Sequence, residues 1–274
     1  MYDKKDSGQI EFFDTNFWIG ENYLSRDISK NISSIEGILS AISGKNRIRS
    51  FIINSFEALY CYPKSGNDVL SRYLKELSVK GHKIFGCWFF EQELIADANS
   101  FEKALIDRIS SGFRCMRLLP KSQKYPYKQL LMHDIYKICD CYNFPVIISL
   151  EEIDVTGNKE IEWEELLKIA QAYSNMPLII DGGGSKELLY SSYIVALLEN
   201  SSNIYLNTHN MLAANQIEDL SLRFGPERLL FDTYFPYYDP VISTDRLLSS
   251  GLRPEDKKKI SSGNIKEIIG KIKS

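Results

Sequence analysis

Eight short runs rich in β-branched and aromatic residues recur along this 274-residue chain, with a helical stretch after each. They are IEFFD (10–14), IRSFIINS (48–55), KIFGCWFF (83–90), FRCMRLL (113–119), FPVIISL (144–150), MPLIID (176–181), NIYLNT (203–208) and RLLFDT (228–233). Runs of this length and composition read as strands. Most are apolar almost throughout rather than alternating, the pattern of strands covered on both faces by helices in a parallel sheet. The intervening stretches carry helix periodicity: Ile28, Ile32, Ile35, Leu39 and Ile42 fall at spacings of three and four, as do Leu70, Tyr73, Leu74 and Leu77. Strand and helix alternating eight times within about 250 residues predict an α/β protein, a single (β/α)8 TIM barrel, better than an open sheet. No Pro/Gly/Ser-rich linker or charge block offers a place to divide it, so residues 1–274 are expected to form one domain. Near the end, Pro254 suits a first helical position and Asn264 an N-cap.

The charge balance narrows the partners. Lys plus Arg total 33 against 36 Asp plus Glu, a net charge of -3, which leaves no basic excess for a phosphate backbone or an anionic membrane. Nucleic acid and membrane are therefore not expected partners. No run approaches the roughly 18 apolar residues of a membrane span, and MYDKKDSGQIEFFD is no secretory signal. Five cysteines, Cys61, Cys87, Cys115, Cys139 and Cys141, fit a reducing cytoplasm. Cys139 and Cys141 point about 200° apart on a helix and read as buried small hydrophobes rather than as a metal pair.

In a barrel of this kind chemistry sits at the C-terminal ends of the strands. That directs attention to Asp14, Asn16 and Trp18, Ser55, Glu91, Arg117 and Lys121, Ser149 and Glu151, Asp181, Asn207 and His209, and Asp232 to Tyr234. Several stretches here carry a resemblance: FFDTNFWIG (12–20), GNDVL (66–70), FPVIISL, MPLIIDGGG, FGPERLLFDTYFP (224–236) and GNIKEIIG (263–270). In order and spacing they resemble the amidohydrolase superfamily, in its amidohydrolase-related branch of metal-dependent TIM-barrel hydrolases. That resemblance implies metal-binding histidines at positions 16 and 18, further histidines at 149 and 182, and a metal-binding aspartate at 234. The chain carries Asn16, Trp18, Ser149, Gly182 and Tyr234 there. The surrounding Asp14, Gly20, Pro145, Gly184, Gly225, Arg228 and Pro236 follow the family pattern.

The expectation is thus a barrel without metal or other cofactor. A count of histidines agrees, because sites of this kind use several imidazoles and only His82, His133 and His209 are present. His82 precedes the third strand and His133 lies in a helical pattern, which leaves His209 to face the mouth. Trp18 and Tyr234 are expected to fill space that the ligands would take, and the aromatic run from Tyr234 to Tyr238 to lie partly exposed. The glycines after Asp181 could hold an anion at a helix start, but a tight strand-to-helix turn explains them more simply.

Two functions remain. One is a pseudoenzyme that binds a small ligand or partner at the mouth, with Asp14, Asn16, Trp18, Arg117, Ser149 and Tyr234 lining it. The other is a metal-independent hydrolase acting on a small acid, lactone or amide. It would use His209 with Asp181 or Asp232 for acid–base work, and Arg117 or Lys121 to hold a carboxylate. A small molecule and a second copy of the chain are the partners this reading allows.

Overall fold

A computed structural model of the chain describes residues 10–21, 32–43, 47–79, 83–153, 161–183 and 192–273. Eight parallel strands follow one another in sequence order around a (β/α)8 barrel: β1 Phe12–Ile19, β2 Ile48–Ser55, β3 Lys83–Phe89, β4 Phe113–Leu118, β5 Val146–Ser149, β6 Leu178–Asp181, β7 Ile204–Asn207 and β8 Leu229–Leu230. Each falls on one of the eight apolar runs. The first continues well past Asp14, because the polar residues Asp14, Thr15 and Asn16 are buried and bonded inside the barrel instead of forming a loop.

Since β8 is only two residues long, the seam between it and β1 is closed by single bonds beyond it. Thr15 N and Oγ1 both donate to Phe231 O, at 3.2 and 3.0 Å, Thr233 N donates to Asp14 Oδ1 at 3.1 Å, and Trp18 N donates to Phe235 O at 2.9 Å.

The helices lie outside. Among those described are α1 Ile35–Ser43, α2 Phe56–Tyr60, α3 Pro63–Val79, α4 Ala98–Ser110, α5 His133–Cys141, α6 Trp163–Ala172, α7 Ser192–Glu199, α8 Gln216–Phe224, α9 Pro240–Ser249 and α10 Asn264–Gly270. In α3 the expected stripe is present, with Leu70, Leu74 and Leu77 buried and Tyr73 half-buried. Ile28 lies outside the described residues. α5 starts at His133, and Leu130 and Leu131 just before it are exposed.

Two further expectations need correcting. Cys139 is buried but Cys141 and Cys61 are exposed, so the helical pair splits between core and surface. Asn264 is no N-cap: it sits within the helix, and its Nδ2 donates to Pro226 O and Leu229 O, each at 2.8 Å, tying α10 to the start of β8. Pro254 does take a first helical position.

Inside the barrel one apolar layer is formed by Phe13, Ile52, Cys87, Cys115, Ile147, Ile179 and Leu230. Ile265 and Ile268 of α10 pack against it from the N-terminal end and form its floor. No described helix is long and apolar enough to cross a membrane.

Candidate functional site

Side chains two residues apart on a strand share a face, so the apolar layer fixes what stands above it. Asn54 follows Ile52, Arg117 follows Cys115, Ser149 follows Ile147, Asp181 follows Ile179 and Asp232 follows Leu230; Phe89, after Cys87, is the apolar member. All are buried. In β1 a register shift between Asp14 and Phe17 turns Asn16 inward. Its Nδ2 lies 3.2 Å from both Asp181 Oδ2 and Asp232 Oδ2.

Arg117, 1% exposed, occupies the middle of this layer. Its Nε donates to Asn54 Oδ1 (3.0 Å), Nη2 to Asn16 Oδ1 (3.0 Å), and Nη1 to Ser149 Oγ (2.9 Å) and Asp181 Oδ2 (2.6 Å). Burial works against the charge on Arg117, but Asp181 and Cys87 outweigh it and keep the guanidinium protonated. Burial would likewise raise the Asp181 carboxyl, yet Arg117, and after it His209, hold it below the usual carboxylate range. Trp18 lies over the guanidinium, whose carbon is 5.2 Å from the indole centroid. The Trp18 Nε1 donates to Asn16 Oδ1 at 2.9 Å, and its ring stacks on Phe56 and meets the edge of Phe89.

Beside this group sits His209, sealed from solvent. Its Nδ1 is hydrogen-bonded to Asp232 Oδ2, and its Nε2 lies 2.9 Å from Gly183 O. A carbonyl oxygen only accepts, so Nε2 carries a hydrogen. Burial opposes protonation of the ring, but Asp232 and Asp181 overcome it and raise His209 from 6.5 to about 9. At neutral pH it is an imidazolium with both nitrogens donating. The ring of Tyr234 stacks on it with centroids 4.7 Å apart. Tyr234 adopts a left-handed φ of 55° to do so.

Asp14 clamps the seam instead of facing a cavity. Its Oδ1 accepts from Asn16 N and Thr233 N, and its Oδ2 from Thr233 Oγ1. Burial pushes its carboxyl up to about 7. Arg228 also has a structural part, donating to Ile204 O and Ser201 O.

The candidate residues Asn16, Trp18, Arg117, Ser149, Asp181, His209, Asp232 and Tyr234 are therefore brought together, with Asp14 at their edge. Glu151 is exposed and rests against Gly183, where a Cβ would lie 2.6 Å from its Cδ. Lys121 sits half-buried in the short helix Pro120–Gln123. His133 bonds Tyr173 on the outer helices, and His82 and Gly184 lie outside the described residues. Asn54 escaped the sequence reading, which pointed to its neighbour; Ser55 instead caps α2 through Ala58 N. The two-residue period from Ile52 is the signal that finds it. Tyr234 to Tyr238 are all half-buried around the mouth, with Tyr237 OH 3.1 Å from Tyr60 OH.

No family model and no curated protein matches the sequence. Solved structures match the fold. A 2,6-dihydroxybenzoate decarboxylase from Rhizobium superposes with a TM-score of 0.70 at 12% identity, covering 96% of this chain and 99% of that one. A candidate amidohydrolase from Staphylococcus aureus gives 0.70 at 17% identity, over 95% and 100%. A 5-carboxyvanillate decarboxylase from Novosphingobium aromaticivorans, in complex with manganese and a nitrobenzoic acid, gives 0.72 at 11% identity, over 96% and 97%. At such identities the likeness is one of fold.

Proposed function

We propose that this chain is an amidohydrolase-like barrel that works without a catalytic metal, as a pseudoenzyme binding a small ligand or partner at its mouth. The observation that carries this reading is Arg117, a permanently charged side chain bonded to Asn16, Asn54, Ser149 and Asp181 at the centre of the polar layer. Metal-ligating atoms of Asp181, His209 and Asp232 do lie within 4.8 Å of one another. These residues do not fit a metal as they stand. Both nitrogens of His209 are engaged, by Asp232 Oδ2 and Gly183 O, Asp181 Oδ2 is held by the guanidinium, and Asn16 Nδ2 stands between the two aspartates, so a metal would have to displace these partners. Two carboxylates already face two cations, and a divalent ion would meet no net negative charge.

One feature of the layer favours a ligand. Asn207 Nδ2 is buried without a hydrogen-bond partner, a cost that a ligand carrying an acceptor oxygen would remove. The tyrosines at positions 234, 237 and 238 supply a partly exposed aromatic rim of the kind that grips organic molecules. Elemental analysis of protein purified without chelators tests the reading: well under one equivalent of zinc, manganese or iron is expected. A full equivalent lost on His209→Gln would sink it.

A second reading, metal-independent hydrolysis, draws support from the hydrogen-bonded His209–Asp232 pair. An imidazolium acts as a general acid, not a base, so turnover of esters or lactones should then fall above pH 9 and vanish in His209→Gln.

A further inference from the structure

At the end of the barrel away from the polar layer, α10 leaves a cleft of about 290 Å³ against the loops that lead into β5 to β8. Two asparagines line it, Asn203 and Asn264, which are 6% and 5% exposed. Asn203 Nδ2 lies 3.0, 2.9 and 2.9 Å from the carbonyl oxygens of Ala170, Tyr173 and Met176, and Asn264 Nδ2 lies 2.8 Å from those of Pro226 and Leu229. A carbonyl oxygen only accepts, so neither amide can turn round. Among the described residues each Oδ1 is left without a protein donor. The charges of the cleft already answer one another: Glu267 pairs with Lys271 at 2.7 Å, and Glu227 faces Lys259 at 3.8 Å. The half-buried ring of Tyr205 and the side chain of Ile268 supply an apolar wall.

We propose that this cleft is a second binding site, independent of the mouth, for one neutral polyhydroxylated molecule of monosaccharide size. Two acceptors fixed in buried side chains call for donors, because a buried polar atom without a partner is costly. A hydroxyl supplies the donor and still accepts from other groups of the cleft. A charged ligand would have to break the pairs that Glu227 and Glu267 make, whereas a neutral one leaves them in place. The volume lies near the lower end of organic-ligand pockets, and the Tyr205 ring with Ile268 offers a surface for the C–H face of a sugar.

The test titrates glucose, galactose, mannose, ribose and myo-inositol into the whole chain, followed by saturation-transfer NMR and by unfolding temperature. At least one should bind one-to-one with a dissociation constant of about 5 mM or below and raise the unfolding temperature. Its permethylated derivative keeps the ring but loses every hydroxyl donor, and should bind at least about tenfold more weakly. Ser202→Trp brings an indole into the cleft from its exposed rim and should abolish binding. Glu267→Trp, which blocks the cleft from α10, serves in its place if Ser202→Trp does not fold. Glutamate and spermidine, probes of opposite charge, should not displace the bound sugar. The proposal is overturned if no member of the panel binds at that level, if binding survives the blocking substitution, if the permethylated derivative binds equally well, or if either charged probe displaces the sugar.

Discussion

Arg117 Nη1 stands 2.6 Å from Asp181 Oδ2 across two strand intervals of the barrel, and the two side chains are 1% and 0% exposed. A pair so placed cannot lose one partner cheaply, since the other stays buried with its charge unanswered. Asp181→Asn, which keeps the shape and removes the charge, is expected to cost about 3 to 5 kcal/mol in urea unfolding at neutral pH. A change below about 1 kcal/mol, the usual worth of an exposed pair, would show that water reaches the guanidinium.

Trp18 covers that pair from the mouth. Truncation leaves a cavity against Phe56, Phe89 and the guanidinium and takes the indole N–H from Asn16. Trp18→Ala should lower stability by about 3 to 5 kcal/mol, the range for a buried tryptophan. An unchanged unfolding temperature would mean that the ring plugs nothing.

Stability should decline with rising pH through two separate groups. Asp14 holds its proton to about 7 in the fold against an ordinary 3.8, so between those values the native state binds a proton that the unfolded chain has released. Stability then falls as pH rises, by up to about 1.4 kcal/mol per pH unit. His209, raised from 6.5 to about 9, contributes stability that is full below 6.5 and is lost as pH climbs through 9. Asp14→Asn should flatten the lower part of the curve and His209→Gln the upper. Urea denaturation across a pH series separates them, and parallel curves for all three proteins would contradict both assignments.

Placing histidine at positions 16 and 18 should not create a metal-dependent hydrolase. Arg117 remains beside them, and Ser149, Gly182 and Tyr234 supply no further imidazole or carboxylate. Assays of Asn16→His/Trp18→His with esters, lactones and amides in added zinc or manganese should stay at background. Turnover would show that fewer ligands suffice than the barrel lacks.

The strands were legible because a β-branched run between helical stretches marks them whatever their neighbours, and IRSFIINS is β2 from end to end. Reading β1 as ending at Asp14 failed for a physical reason: Asp14, Thr15 and Asn16 look like a loop until their partners, on β6 and beyond β8, are known. Leu130 and Leu131 mislead in the opposite sense, being apolar yet exposed. Strand-end position alone located Asn16, Arg117, Ser149, Asp181 and Asp232. It could not reveal that Arg117 reaches residues of four other strands at once, because that depends on the closed curvature of the sheet and on sequence separations of up to 101 residues.

The floor laid by Ile265 and Ile268 bears on how the molecule is made. A ribosome delivers the strands in spatial order, so each can pair with its predecessor as it emerges. The last strand is out by Leu230, but the lower opening stays uncovered until α10 follows some thirty residues later. During that interval a nascent chain holds Phe13, Ile147 and Ile179 around an unsealed apolar bore. Docking of α10, not completion of the sheet, is the step that takes this apolar layer out of water.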